Sequence, residues 1–118
     1  MRNGPTEEEP AENIEQKEKR RMINGKQRRY LKQIAQETPA TVYIGVNGLT
    51  ENIKKEIENG FEAREIVKVK LQNGAALDPK EVANELAEEM GAEFVQAIGR
   101  VFVLYRESKD NKTIVLPR

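Results

Sequence analysis

Leu49, Ile53, Ile57 and Phe61 recur every four residues between two short apolar runs, and this arrangement restricts the fold more than any other feature of the chain. The repeat lays one apolar stripe along a helix. Before it, Thr41-Val42-Tyr43-Ile44 is β-branched and aromatic. After it, residues 65–72 alternate Val67, Val69 and Leu71 with Lys68 and Lys70. Both runs read as strands. A strand, a helix and a strand in succession require a crossover, with the helix laid on a face of the sheet.

The flanking segments extend the pattern. A first helix is expected over roughly residues 25–37, where Tyr30, Leu31, Ile34 and Ala35 share a stripe and Asn24 can cap the start. Thr50 caps the central helix. Asp78-Pro79-Lys80-Glu81 opens a third, with an acid at the cap, proline at the first helical position and the Glu of a capping box. Val82, Ala83, Leu86, Ala87 and Met90 form its core face, and Gly91 ends it. Phe94–Ile98 and Val101–Tyr105 flank Gly99-Arg100, a pair suited to a type II′ hairpin turn. The order is α-β-α-β-α-β-β. The fold class expected is α/β (α+β), a two-layer sandwich of three helices on a mixed four-stranded sheet.

Residues 1–21 do not join this core. Only Met1, Ala11 and Ile14 are apolar there, among two prolines and a dense mixture of acids and bases, and they lower the hydrophobic fraction of the whole chain to 37%. Such a segment buries too little surface to offset its ordering entropy, so a disordered charged leader is expected over 1–21 and one domain over 22–118. With no Cys and no His, disulfides, thiolate or imidazole metal sites and the familiar nucleophile systems are excluded. The apolar runs are too short to cross a bilayer. A soluble, cytoplasmic monomer without cofactor is expected.

Two features carry chemistry. The first is Gly45-Val46-Asn47-Gly48, placed between a strand and a helix N-terminus. Glycine lets the backbone approach a phosphate, and helix N-terminal amides favour its charge; a plain strand-to-helix turn would use the same residues. The loop has neither the Gly-Lys-Ser/Thr of a nucleotide-binding P-loop nor the third Gly of a dinucleotide fingerprint. The second feature is sorted charge. The chain is neutral overall, with 20 Lys+Arg and 20 Asp+Glu. Bases nevertheless gather at Lys26, Arg28, Arg29 and Lys32, at Lys54 and Lys55, at Arg64, Lys68 and Lys70, and at Arg100, Arg106, Lys109, Lys112 and Arg118. Acids gather on the third helix as Glu81, Glu85, Glu88 and Glu89, which read as a solvated face. A basic face turned to a polyanion fits this polarity. Tyr43 and Tyr105 could stack on bases, but both lie in strands, where core packing is the commoner role.

These residues resemble the CRM domain (chloroplast RNA splicing and ribosome maturation) in its bacterial single-domain, YhbY-like form. The resemblance is carried by Gly25-Lys26-Gln27-Arg28-Arg29-Tyr30-Leu31, Ile44-Gly45-Val46-Asn47-Gly48-Leu49-Thr50, Glu65–Lys70, Ile98–Arg106 and Ile114–Arg118. It implies a helix-backed mixed sheet similar to the C-terminal domain of the bacterial third initiation factor. It also implies a glycine loop likened to the phosphate-clamping loop of KH domains. Val46-Asn47 supplies no base inside that loop, so attraction must come from Lys54, Lys55 and the first helix. The implied role is binding ribosomal RNA in precursors of the large subunit; plant relatives act in intron splicing.

The function expected is therefore non-enzymatic RNA binding that assists ribosome assembly. The RNA-binding residues expected are Gly45, Val46, Asn47, Gly48, Lys26, Arg28, Arg29, Lys32, Lys54, Lys55 and Arg100, with no catalytic or metal-binding set. The alternative is a protein-interaction adaptor using the acidic third helix, for which ribosomal proteins, often basic, are the natural partners. Because residues 1–21 lack a core-facing stripe, their deletion should leave the thermal unfolding midpoint almost unchanged; a fall of many degrees would show that they dock on the domain.

Overall fold

The structure, a computed structural model, describes residues 23–118; the leader expected over 1–21 lies outside the described residues. Helix α1 (Gly25–Gln36) leads into β1 (Val42–Ile44), α2 (Glu51–Arg64), β2 (Ile66–Leu71), α3 (Pro79–Met90), β3 (Glu93–Ile98) and β4 (Val101–Tyr105). This is the expected order, and the four strands form one mixed sheet in the order β1-β2-β4-β3. β1 runs parallel to β2, with Val42 beside Val69 and Ile44 beside Leu71. The β2–β4 and β4–β3 pairs are antiparallel.

Local chemistry sets the boundaries. Asn24 and Gln27 close a reciprocal capping box at the start of α1, with contacts of 2.7 and 3.0 Å. The Thr50 hydroxyl accepts the Ile53 N–H, and the Asp78 carboxylate accepts that of Glu81. Gly91 ends α3 in the left-handed region at φ 65°, where a side chain is disfavoured. In the β3–β4 hairpin Gly99 has φ +60° and Arg100 does not follow it to positive φ, as a II′ turn requires.

Strand alternation divides the core into two clusters, one on each face of the sheet. Ile44, Val67, Val69, Leu71, Phe102 and Leu104 meet Ile57 and Phe61 of α2 and Leu86 of α3. On this face α2 and α3 form the helical layer of the expected sandwich. At Gly60 the α2 backbone comes so close to β2 that a Cβ would lie 2.7 Å from Val67 Cγ2, so the helix seats only because that residue has no side chain. On the other face Ile66, Val95, Val103 and Tyr105 pack against Leu31 and Ala35 of α1 and against Ile114 and Leu116 of the C-terminal segment. α1 and this segment thus cover part of the second face. Tyr105 is core, and burial, with the Glu65 charge beside it, pushes its phenol up to about 12.

Glu65 joins the two halves. It ends α2 in the left-handed conformation at φ 71°, the one non-glycine positive φ among the described residues. Its side chain is fully buried. One carboxylate oxygen accepts the N–H groups of Thr113 and Ile114 at 2.9 and 2.8 Å, and the other accepts that of Ser108 at 2.9 Å. The clasp fixes the C-terminal segment against α1, whose Gln27 amide donates to the Pro117 carbonyl at 3.0 Å. Burial pushes the Glu65 carboxyl up, but the N–H groups of Ile114, Ser108 and Thr113 outweigh it and hold the group below its ordinary 4.5. The stabilisation this gives is complete above that ordinary value and is lost as pH falls through the lowered folded value. Glu65→Gln turns an amide against backbone donors and should cost about 2–3 kcal/mol at neutral pH. Urea unfolding of both proteins between neutral and acid pH should show the wild type losing its advantage in the acid range, while the variant's curve is flatter there.

Candidate nucleic-acid interface

Three turns meet at one end of the sheet. Gly45–Gly48 closes on a hydrogen bond of 3.0 Å from the Gly48 N–H to the Gly45 carbonyl, and Gly48 takes φ +72°. Gln72–Ala75 closes in the same way at 3.1 Å, with Gly74 at φ +95°. The third turn is Gly99-Arg100. Cross-links make them one unit. The Gln72 N–H donates to Ile44, the Leu71 N–H donates to Arg100, and Arg100 Nη2 donates to the carbonyls of Gln72 and Ala75 at 3.3 and 2.9 Å. A Cβ on Gly74 would touch Val46 Cβ at 4.0 Å.

The first turn delivers the chain directly to the N-terminus of α2. Val46, 78% exposed, and Asn47 project into solvent, so the backbone between the glycines is open to a ligand. Unsatisfied amides of a first helical turn and the positive end of the helix dipole favour an anion at such a place.

The expected basic residues divide between two places. Arg100 belongs to the glycine-turn end, and Lys55 is exposed on α2, which starts there. Lys54, on the same helix, is turned toward α3, where Glu89 Oε2 lies 3.1 Å from its ammonium and holds its pKa above the usual value. Helix α1 lies elsewhere. It packs on the β2–β4–β3 part of the second face, and Lys68 Nζ donates to its Ala35 carbonyl, whereas the glycine turn leaves β1 at the opposite edge. Arg28 Nε donates to the Phe94 carbonyl, and Lys26 Nζ to the Arg118 carbonyl. Arg28, Lys32 and Lys80 line a groove of about 450 Å³ along β3, while Arg29 is exposed. Closeness in sequence to the glycine turn did not place the α1 bases beside it.

One further base is structural. Arg106 grips Glu58 and Glu62, each at 2.8 Å, donates to the Met90 carbonyl and stacks over Phe61 at 4.9 Å. Its guanidinium holds the Glu58 carboxyl below the usual range. The expected site left out the other side chains at the turn end, namely Tyr43, Lys70, Gln72 and Asn73, which line a groove with Leu71 and Arg100. The signal was the strand pattern: Val42 and Ile44 point into the core, so Tyr43 between them points away. Among the described residues no set of three or more acids is placed to hold a metal ion, and no helix is long and apolar enough to cross a membrane.

A four-stranded mixed sheet carrying an exposed Gly-x-x-Gly turn at a helix N-terminus is the architecture expected of a CRM-type domain. Residues 23–106 match the model of the CRS1/YhbY (CRM) domain. The chain is 38% identical over 96 residues to a Bacillus subtilis protein named "Probable RNA-binding protein YqeI", covering 81% of this chain and all of that one. It is 41% identical over 97 residues to a Haemophilus influenzae protein named "RNA-binding protein", covering 81% and 96%. A solution structure from Staphylococcus aureus, of a candidate RNA-binding protein, superposes with a TM-score of 0.68 at 44% identity, covering 81% of this chain and all of that one. This chain belongs to the CRS1/YhbY (CRM) domain family.

Proposed function

We propose that this protein binds RNA through the Gly45–Gly48 turn, that its target is ribosomal RNA in precursors of the large subunit, and that it assists their assembly in the cytoplasm by binding and not by catalysis. The observation that carries the reading is the open turn itself. Its two central residues are exposed, it leads into the start of α2, and the Arg100 guanidinium is fixed at the same end of the sheet. A phosphate seated there would receive backbone N–H groups and the helix dipole, with Lys55 supplying longer-range attraction. The relatives named as RNA-binding proteins support RNA as the ligand. The α1 bases, lying along β3, would hold a second stretch of backbone of a structured RNA.

Replacing Val46 and Asn47 together with Asp places negative charge at the proposed phosphate position. Both residues are exposed, and acids suit a helix N-terminus, so stability should change by less than about 1 kcal/mol. Affinity for a large-subunit rRNA fragment should fall well below that of a control carrying Asn59→Asp and Ala63→Asp, at exposed positions further along α2. Equal affinities for the two would reduce the loop to a turn.

Charge reversal addresses the rest of the reading. Glu substitutions at Lys26, Arg28, Arg29 and Lys32 should weaken binding and flatten its dependence on salt, because fewer counterions are released. Lys substitutions at Glu81 and Glu85 of α3 should leave binding intact or tighten it; loss of binding there, with the α1 variant unaffected, would favour the adaptor reading. Crosslinking in cells followed by sequencing of the bound RNA identifies the target, and recovery of RNA other than large-subunit precursors would overturn the ribosomal assignment.

A further inference from the structure

The glycine turn offers a place for a phosphate but nothing for a base. The adjoining groove does. Tyr43 and Lys70 are register partners on β1 and β2, side by side on the sheet face opposite α2 and α3. Helix α1 covers the other part of that face, so this part is open, and Tyr43 is 47% exposed. Its ring is nonetheless fixed, because the hydroxyl donates back along the strand to the Ala40 carbonyl at 3.1 Å. An aromatic ring tethered at its hydroxyl and about half exposed is a stacking platform whose ordering cost is partly met in the free protein.

The lining fits a nucleotide. The groove, of about 450 Å³, contains two bases, Lys70 and Arg100, two amide side chains, Gln72 and Asn73, and no acid. Arg100 is oriented by the carbonyls of Gln72 and Ala75, and no acid pairs with Lys70 among the described residues. The amides can donate to or accept from a base edge. The groove also continues into the turn: Gln72 hydrogen-bonds Ile44 through its N–H, and its Oε1 lies 3.4 Å from where a Gly45 Cβ would stand. A strand of RNA with one phosphate at Gly45–Gly48 would therefore pass its next base over Tyr43.

We infer that the groove formed by Tyr43, Lys70, Gln72 and Arg100 is a stacking subsite for one unpaired base of the bound RNA, so that the protein selects single-stranded or unpaired segments over continuous duplex. The inference rests on the RNA-binding reading and deepens it. A paired base keeps its faces inside the helical stack and cannot lie on the ring.

The test uses the full chain and two fluorescein-labelled RNAs, a mixed-sequence single strand of about ten nucleotides and a fully paired duplex without overhangs, with affinity read by anisotropy. Tyr43→Leu retains apolar bulk without a π-face; Tyr43→Phe retains the ring. Tyr43→Leu should weaken single-strand binding roughly tenfold, the size of one stacked base. Its duplex affinity, salt slope and unfolding midpoint should stay at wild-type values, and Tyr43→Phe should bind within about twofold of wild type. In the unmodified protein, the Tyr43 ring proton resonances should move upfield with the single strand and not with the duplex, a readout independent of any variant. Unchanged single-strand affinity in Tyr43→Leu, or an equal loss on both RNAs, would overturn the subsite while leaving the RNA reading in place. So would an equal ring shift with polyglutamate, which would make the groove a general polyanion surface. If the wild type binds neither RNA, the RNA reading falls and the subsite with it.

Discussion

A carboxylate taken out of water must be paid for, and at Glu65 three backbone N–H groups, all from the last eleven residues of the chain, do so. The arrangement explains the left-handed backbone at this position. An acid ending a helix and opening a strand at positive φ is strained relative to glycine, yet glycine would supply no acceptor. With the C-terminal segment fixed, Ile114 and Leu116 complete the cluster that seats Leu31 and Ala35 of α1. One buried group thus couples the junction of α2 and β2, the end of the chain and its first described helix. The sheet has a second covered face because of it.

The same economy governs charge. Several bases that a count assigns to an attractive face are committed to the fold. Arg106 is divided between two glutamates, a carbonyl and the Phe61 ring, and Lys54 leans on Glu89. What remains at the glycine-turn end is sparse but fixed in direction, since the Arg100 guanidinium is held by carbonyls of the turn beside it. On the proposed reading, recognition there would depend on the placing of a few groups and not on charge density. The α1 bases supply a second, separate strip along β3.

Much of this was legible in the sequence, because local rules and global packing agree. The four-residue repeat of α2, the alternation of β2, the Asn24, Thr50 and Asp78 caps and the Gly99-Arg100 turn each specify their element without reference to the rest of the chain. Gly45-Val46-Asn47-Gly48 could likewise be singled out, and its exposure follows from its position between strand and helix. What sequence could not supply was distance. Lys26–Lys32 precede the glycine turn closely in the chain but are carried to another part of the sheet, since α1 packs on β3, β4 and β2 and the turn leaves β1. Glu65 read as the first residue of a strand, because its donors lie more than forty positions away. Tyr43 read as core, because the strand pattern says which way a side chain points but not whether a helix will cover it; α1 stops short and leaves the ring in solvent.

The position of α1 and α3 on opposite faces of the sheet has an electrostatic consequence. The whole chain carries no net charge, yet one helix presents Lys26, Arg29 and Lys32 and the other Glu81, Glu85 and Glu89. A neutral body with oppositely charged faces is drawn only weakly toward a polyanion from afar, and beyond about 8 Å in physiological salt even that pull is screened. Inside that range it feels a torque. On the RNA-binding proposal, the field of the nucleic acid would turn the protein before contact, setting its basic side inward and its acidic side outward. Charge in this molecule acts less as a lure than as a rudder: it does little for how often an encounter begins and much for the orientation in which it ends.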